Sequence, residues 1–180
     1  ILPQLKFLTK TRPARTIGKM KRLWAPWRIE YLRGESVEGC IFCDKPAEND
    51  DRGNYLLHRG RHAYILMNIY PYSNGHLMVA PYGHVAQLAD LDPEVRIEIM
   101  ELTTLCTQLL ARTSHPAGFN LGANMGKAAG AGFEEHFHLH VVPRWLGDTN
   151  FMPVIGHTRV IPESLDDTYR RLKQALAEIQ

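Results

Sequence analysis

The hydrophobic pattern changes period several times along the chain, and each change marks an element. His62–Ile69 (HAYILMNI) is rich in β-branched and aromatic residues and bounded by turn formers, which predicts a strand. Pro71–Gly75 follows with an Asn-Gly pair, the mark of a tight reversal. His76–Pro81 is then a second apolar run, antiparallel to the first. Asp92-Pro93-Glu94 opens a helix with a capping acid, a proline at the first helical position and a further acid. Val95, Ile99, Leu102, Cys106 and Leu109 recur at helical spacing to about Ser114, which places the Cys106 thiol in the core. Gly118–Met125 and His136–Pro143 predict two more strands joined by a Gly/Ala-rich loop. Leu165, Tyr169, Leu172, Leu176 and Ile179 share one face of a last helix over about 163–179. Gly34–Gly53 reads as loop, and Arg22–Leu32, aromatic and basic, is expected to pack on the domain. Strands joined by tight turns, with helices set apart, predict an α+β fold with an antiparallel sheet, a long helix and a C-terminal helix.

Composition narrows the class. The chain has 180 residues, 44% hydrophobic and 22% charged, enough for one proper core and too apolar for disorder. Three cysteines exclude a disulfide scaffold. The longest apolar runs, Ala63–Met67 and Leu77–Pro81, fall far short of the roughly 20 residues of a spanning helix. Net charge is +2, but residues 1–28 carry eight Lys and Arg and no acid. The remaining 13 basic and 19 acidic residues leave a body of net −6, so neither nucleic acid nor membrane is an expected partner. Residues 1–19 are expected to be a basic, disordered extension ahead of a single domain over 20–180. A transit peptide is the alternative that charge alone allows, and a cytoplasmic location is expected.

The richest chemistry lies at His136-Phe137-His138-Leu139-His140. On a strand the three histidines point one way, and Phe137, Leu139 and Val141 point the other, towards a core. A surface row of histidines is the bland reading, and three imidazoles on one face bring little packing advantage. A three-histidine metal site is a second reading. Same-face neighbours are about 6.6 Å apart, so one ion with bonds of about 2 Å would distort the strand. A third reading is a nucleophile between positioning imidazoles, because a neutral imidazole attacks phosphorus well near its pKa of about 6.5.

This segment resembles the histidine triad (HIT) superfamily of nucleotide hydrolases and transferases. The resemblance spans most of residues 20–160. It includes Asn68–Pro81 followed by His84, and Asn120–Gly126 followed by the glycine-rich loop and the triad. His136–Trp145 with Gly147–Phe151 is especially similar to the bacterial branch containing diadenosine tetraphosphate phosphorylases. The resemblance implies that His138 is the nucleophile, forming a nucleotidyl-histidine at an α-phosphorus. The His136 carbonyl would fix its tautomer, and His140 would bind phosphate oxygens or protonate the leaving group. Asn68 would contact the ribose and Asn124 the phosphates. The loop through Gly126, Gly130 and Gly132 would bring backbone N–H groups to the phosphates, with Lys127 adding positive charge. His76 would sit beside the triad. Gly132 stands where many relatives carry Gln or Ser, which removes a side chain linked to the leaving group.

Cys40-Ile41-Phe42-Cys43 is ambiguous by itself among zinc binding, redox chemistry and chance. A redox reading wants a helix N-terminus in a βαβ setting, which the pattern does not show. The resemblance implies a structural zinc held by Cys40, Cys43, His84 and His136. It also implies homodimers and leaves room for Mg²⁺ as companion of a polyphosphate substrate. Cleavage of an adenine dinucleoside polyphosphate, by phosphate or by water, is the leading expectation. A nucleoside phosphoramidate hydrolase, a nucleotide-binding protein with little turnover and a nucleic-acid-associated protein are the alternatives.

Overall fold

A computed structural model describes residues 39–148 and 162–179. The expectations for residues 1–19 and for Arg22–Leu32 lie outside the described residues. The described strands are β1 (Leu56–Arg59), β2 (Ala63–Met67), β3 (Leu77–Pro81), β4 (Gly118–Gly122) and β5 (Leu139–Arg144). The helices are α1 (Ile41–Ala47), α2 (Pro93–Ser114) and α3 (Leu165–Ala177). The strands form one antiparallel sheet in the order β1-β2-β3-β5-β4. The expected β2–β3 pair is present, with Ala63 opposite Pro81 and Met67 opposite Leu77.

Period-two alternation sorts the strand side chains between two faces. Ala63, Ile65, Met67, Leu77, Val79 and Val141 face α2 and α3. There they meet Ile99, Leu102, Cys106, Leu109, Leu110, Leu172 and Leu176. Each fully buried leucine contributes about 1.5–3 kcal/mol relative to exposure. Cys106 lies fully buried on this stripe, and burial pushes its thiol pKa upward. The expected extent of α2 holds, but the Asp92 side chain makes no capping bond; its backbone carbonyl accepts from Arg96 N–H instead. Ser164 does cap α3, accepting from Asp167 N–H. No helix among the described residues is long and apolar enough to cross a membrane.

The β2–β3 reversal needs glycine at 75, where φ is +77°. A Cβ there would come within 2.9 Å of a Leu110 methyl. The neighbouring Asn74 amide donates to Glu163 at 3.0 Å, and Glu163 pairs with Arg171 at 2.6 Å. Arg171 also donates to the Thr113 carbonyl at the end of α2. The turn is thereby tied to both helices.

Besides the Asp92 cap, four sequence expectations are corrected. The strand expected over Gly118–Met125 ends at Gly122. The stretch read as loop over Gly34–Gly53 contains α1, with Cys40 at its N-cap. A seven-residue helix with Pro46 inside carries too little periodicity to be seen, and it depends on tertiary contacts. Strand β1 was not expected; a four-residue run with a register shift lacks clean alternation. The strand expected over His136–Pro143 begins only at Leu139. His136–His138 runs ahead of the ladder, pinned by Phe137 N–H donating to the Val85 carbonyl at 2.6 Å. Phe137, Leu139 and Val141 nevertheless turn towards the helix-covered core, as expected.

Candidate functional site

The opposite face of the sheet carries Leu56, Tyr64, Leu66, Met78 and Ala80, covered by Cys40 and Phe42 from α1 and its cap. His140 lies opposite Met78 in the β3–β5 register, which brings the histidine segment to this face. Here the sequence-separated polar residues meet.

The first group is Cys40, Cys43, His84 and His136, whose ligand atoms all lie within 4.8 Å of one another. Cys40 Sγ is 3.3 Å and Cys43 Sγ 3.5 Å from His136 Nδ1, and Cys43 Sγ is 3.4 Å from His84 Nδ1. A tetrahedral ion with Zn–S and Zn–N bonds of ordinary length sets sulfur and nitrogen about 3.6 Å apart. The tautomer also fits. His136 Nε2–H donates to the Pro81 carbonyl at 2.9 Å, which leaves the Nδ1 lone pair facing the sulfurs. Burial holds the His136 pKa below its ordinary value. Burial, together with the adjacent Cys40, pushes the Cys43 thiol up to about 11. Two sulfurs and two imidazoles in this arrangement could hold a metal ion. The helix N-terminus at Cys40, which the sequence did not show, is present, but α1 leads into an antiparallel sheet and not a βαβ unit.

The second group is the remainder of the triad. His138 is buried, and its Nδ1–H donates to the His136 carbonyl at 2.9 Å. In the neutral ring the lone pair therefore sits on Nε2. Burial lowers the His138 pKa, against the opposing pull of that carbonyl, so the neutral form dominates at neutral pH. The Phe42 ring stacks on His138 with centroids 4.5 Å apart and planes 24° apart. His140 approaches His138 edge-on at 4.8 Å between centroids. Tyr72 N–H donates to His76 Nδ1 at 3.1 Å, so the neutral His76 carries its proton on Nε2. That proton points at His140 Nδ1, 2.9 Å away. The three histidines thus diverge: His136 to the sulfurs, His138 to Phe42, His140 to His76.

Asn68 lies at this edge, its side-chain amide 3.4 Å from His76 Nδ1 and its carbonyl accepting from Tyr70 N–H. The Asn124 amide reaches the Gly130 carbonyl at 3.5 Å. Gly126 and Gly130 both have positive φ, flanking a short 3₁₀ turn at Lys127–Ala129. Lys127, expected to face phosphates, pairs with Glu134 at 3.0 Å and is largely exposed. Sequence reasoning missed Phe42 and Tyr72. The only signal for Phe42 was its place between two cysteines.

A five-stranded antiparallel sheet backed by a long helix, with a His-x-His-x-His segment on its other face, defines the histidine triad class. The HIT domain family matches residues 54–145, and the chain belongs to that family. The chain is 40% identical over 163 residues to the AP-4-A phosphorylase of Mycobacterium tuberculosis (strain ATCC 25618 / H37Rv), covering 86% of this chain and 83% of that protein. Among solved structures, a Zn-bound histidine triad family protein from Mycobacterium smegmatis superposes with a TM-score of 0.64 at 29% identity, over 78% of this chain and 95% of that one. The fold is shared with a diadenosine triphosphate hydrolase from Plasmodium falciparum, with a TM-score of 0.55 at 19% identity, over 70% and 76% of the two chains.

Proposed function

We propose that the protein cleaves adenine dinucleoside polyphosphates at the α-phosphorus, with His138 as nucleophile and inorganic phosphate as acceptor. The observation that carries this reading is the 2.9 Å bond from His138 Nδ1–H to the His136 carbonyl. It orients the ring and leaves Nε2 as the attacking atom. Nε2 forms a bond to the α-phosphorus of diadenosine tetraphosphate, the bridging P–O bond breaks, and its electron pair leaves with ATP. A phosphate oxygen then attacks the adenylyl-histidine, and the N–P electron pair returns to Nε2, giving ADP. The 40% identity to an AP-4-A phosphorylase supports phosphate over water as acceptor.

His140, steered by His76, binds the phosphate oxygens and donates a proton to the departing one. Asn68 takes the ribose. Asn124 and the backbone N–H groups of the loop through Gly126, Gly130 and Gly132 take the phosphates. Lys127 joins them by exchanging Glu134 for the substrate. Zinc in the Cys40–Cys43–His84–His136 set supplies a structural cross-link, its charge holding both sulfurs as thiolates. The Zn-bound relative supports that assignment. Two copies associate through the outer face of α2, where Ile97 and Met100 are exposed beside Pro93 and Thr104. No triad residue lines that groove.

Product analysis with diadenosine tetraphosphate tests the chemistry. ADP plus ATP, formed only when phosphate is present, is expected. AMP plus ATP regardless of phosphate makes the protein a hydrolase, and no cleavage sinks the reading. Light scattering tests the association: a monomeric mass would reject the α2 interface.

A further inference from the structure

The stretch between the two cysteines delivers one side chain to the heart of the site. Phe42 is only 1% exposed, and its ring lies nearly parallel to the His138 imidazole. It is held from several sides. The Tyr64 hydroxyl donates to the Phe42 carbonyl at 2.6 Å, from a strand position that is itself fully buried. Phe133 packs edge-on against the ring at 5.9 Å, and the His136 imidazole lies 5.3 Å away on a tilt. Cys40 and Cys43, on either side in sequence, are anchored against His136 and His84.

We propose that Phe42 is a positioning residue for the nucleophile, and that the cysteine pair serves the reaction by placing it. This rests on the reading of His138 as nucleophile. The imidazole has two rotational freedoms, about χ1 and χ2. The hydrogen bond to the His136 carbonyl fixes the position of Nδ1, yet the ring can still tilt about that bond. A flat aromatic surface on one side removes the tilt, and so fixes the line along which the Nε2 lone pair meets phosphorus. Displacing the attacking atom by a fraction of an ångström weakens in-line attack without weakening substrate binding. The Cys/His cluster then acts on His138 by two routes from the same residues. One is the His136 backbone carbonyl, and the other is the ring carried between Cys40 and Cys43.

The test uses the full chain with its metal content measured, comparing wild type with Phe42→Leu and Tyr64→Phe. Leucine keeps an apolar filler and removes the flat surface. Tyr64→Phe keeps the core filled and removes the carbonyl anchor. Phe42→Leu is expected to lower kcat up to about tenfold, which is about 1.4 kcal/mol of barrier. KM should stay within about twofold, bound metal should be unchanged, and adenylyl-His138 should form more slowly in a single turnover. Tyr64→Phe should lower kcat in the same direction by less. A rise in KM at constant kcat would make Phe42 a substrate contact and overturn the proposal, as would no kinetic change in either variant. Loss of metal along with activity would reduce Phe42 to packing and overturn it too. If wild type turns over no dinucleotide, the functional reading fails, and ¹⁵N NMR of the His138 ring decides the positioning alone. Greater motion of the His138 ring by ¹⁵N relaxation in Phe42→Leu than in wild type, with the Nδ1–H form kept in both, upholds it. Equal ring motion in both overturns it.

Discussion

The two faces of the sheet are built on different physics. The face under α2 and α3 is mostly apolar, and its contacts follow from the periods 2 and 3.6 of the elements that meet there. The other face is partly polar. Buried on it are His76, His136, His138 and His140, each held by a directional partner. Among the described residues every buried side-chain nitrogen and oxygen has such a partner. Apolar packing is non-directional and tolerates exchange of like for like. A buried polar network gives full return only when every member is satisfied, so each residue fixes the next. Changes on the first face should therefore move stability, and changes on the second should move chemistry or metal binding.

The sharpest break is at His138, the proposed nucleophile. His138→Asn should lower kcat/KM for diadenosine tetraphosphate by roughly 10⁴-fold or more, as loss of a covalent nucleophile does, while the far-ultraviolet dichroism stays native. Retained turnover would remove His138 from the chemistry. Next comes the apolar face. Leu109→Ala, at a fully buried position, should cost about 2–5 kcal/mol in denaturant unfolding. Its activity per folded molecule should be unchanged; a specific loss of kcat would show that the faces are coupled.

Removal of the proposed zinc is a smaller effect. A chelator should lower stability by about 2.7 kcal/mol when the ion had been present at one hundred times its dissociation constant. Hydrogen exchange should accelerate in Ile41–Ala47 and not in Pro93–Ser114. Uniform acceleration across both would mean that the Cys/His set supports the whole fold. The mildest prediction concerns Glu163. Its hydrogen bonds with Arg171, helped by Thr168 and Asn74, hold its carboxyl down to about 2. A depressed acid contributes stability above its unfolded pKa, near 4.5, and loses it as pH falls towards 2. Glu163→Gln should remove about 1 kcal/mol at neutral pH, since the site is partly screened by solvent. It should also flatten the stability profile between pH 4.5 and 2. An unchanged acid slope would show that the turn is not held by this pair.

The same contrast separates what was legible in the sequence from what was not. The β2–β3 hairpin, α2 and α3 could be read because each declares itself within a dozen or so residues. Val95, Ile99, Leu102, Cys106 and Leu109 need no knowledge of the rest of the chain. Resemblance to a known family named the Cys/His set and His138, and the structure brings Cys40, Cys43, His84 and His136 within ligand distance. Helix α1 was illegible because its stability lies in Phe42 against the sheet and in the Tyr64 hydroxyl, neither of them a local feature. The uniform strand through the triad failed for the same reason. His136 is drawn to the Pro81 carbonyl and the cysteine sulfurs, and this takes the chain off the ladder until Leu139.

By itself, then, the sequence determined the α+β class, the hairpin, the long and C-terminal helices and the apolar set that joins them. Those depend on periodicity and turn chemistry, which act over short stretches of chain. Only the tertiary structure decided that the three histidines face three different partners. It alone placed Cys40 beside His136, 96 positions away, and Phe42 on the ring of His138. Hydrogen bonds and ring contacts between distant segments depend on ångström-scale placement, and that exists only once the apolar face has folded and fixed the sheet.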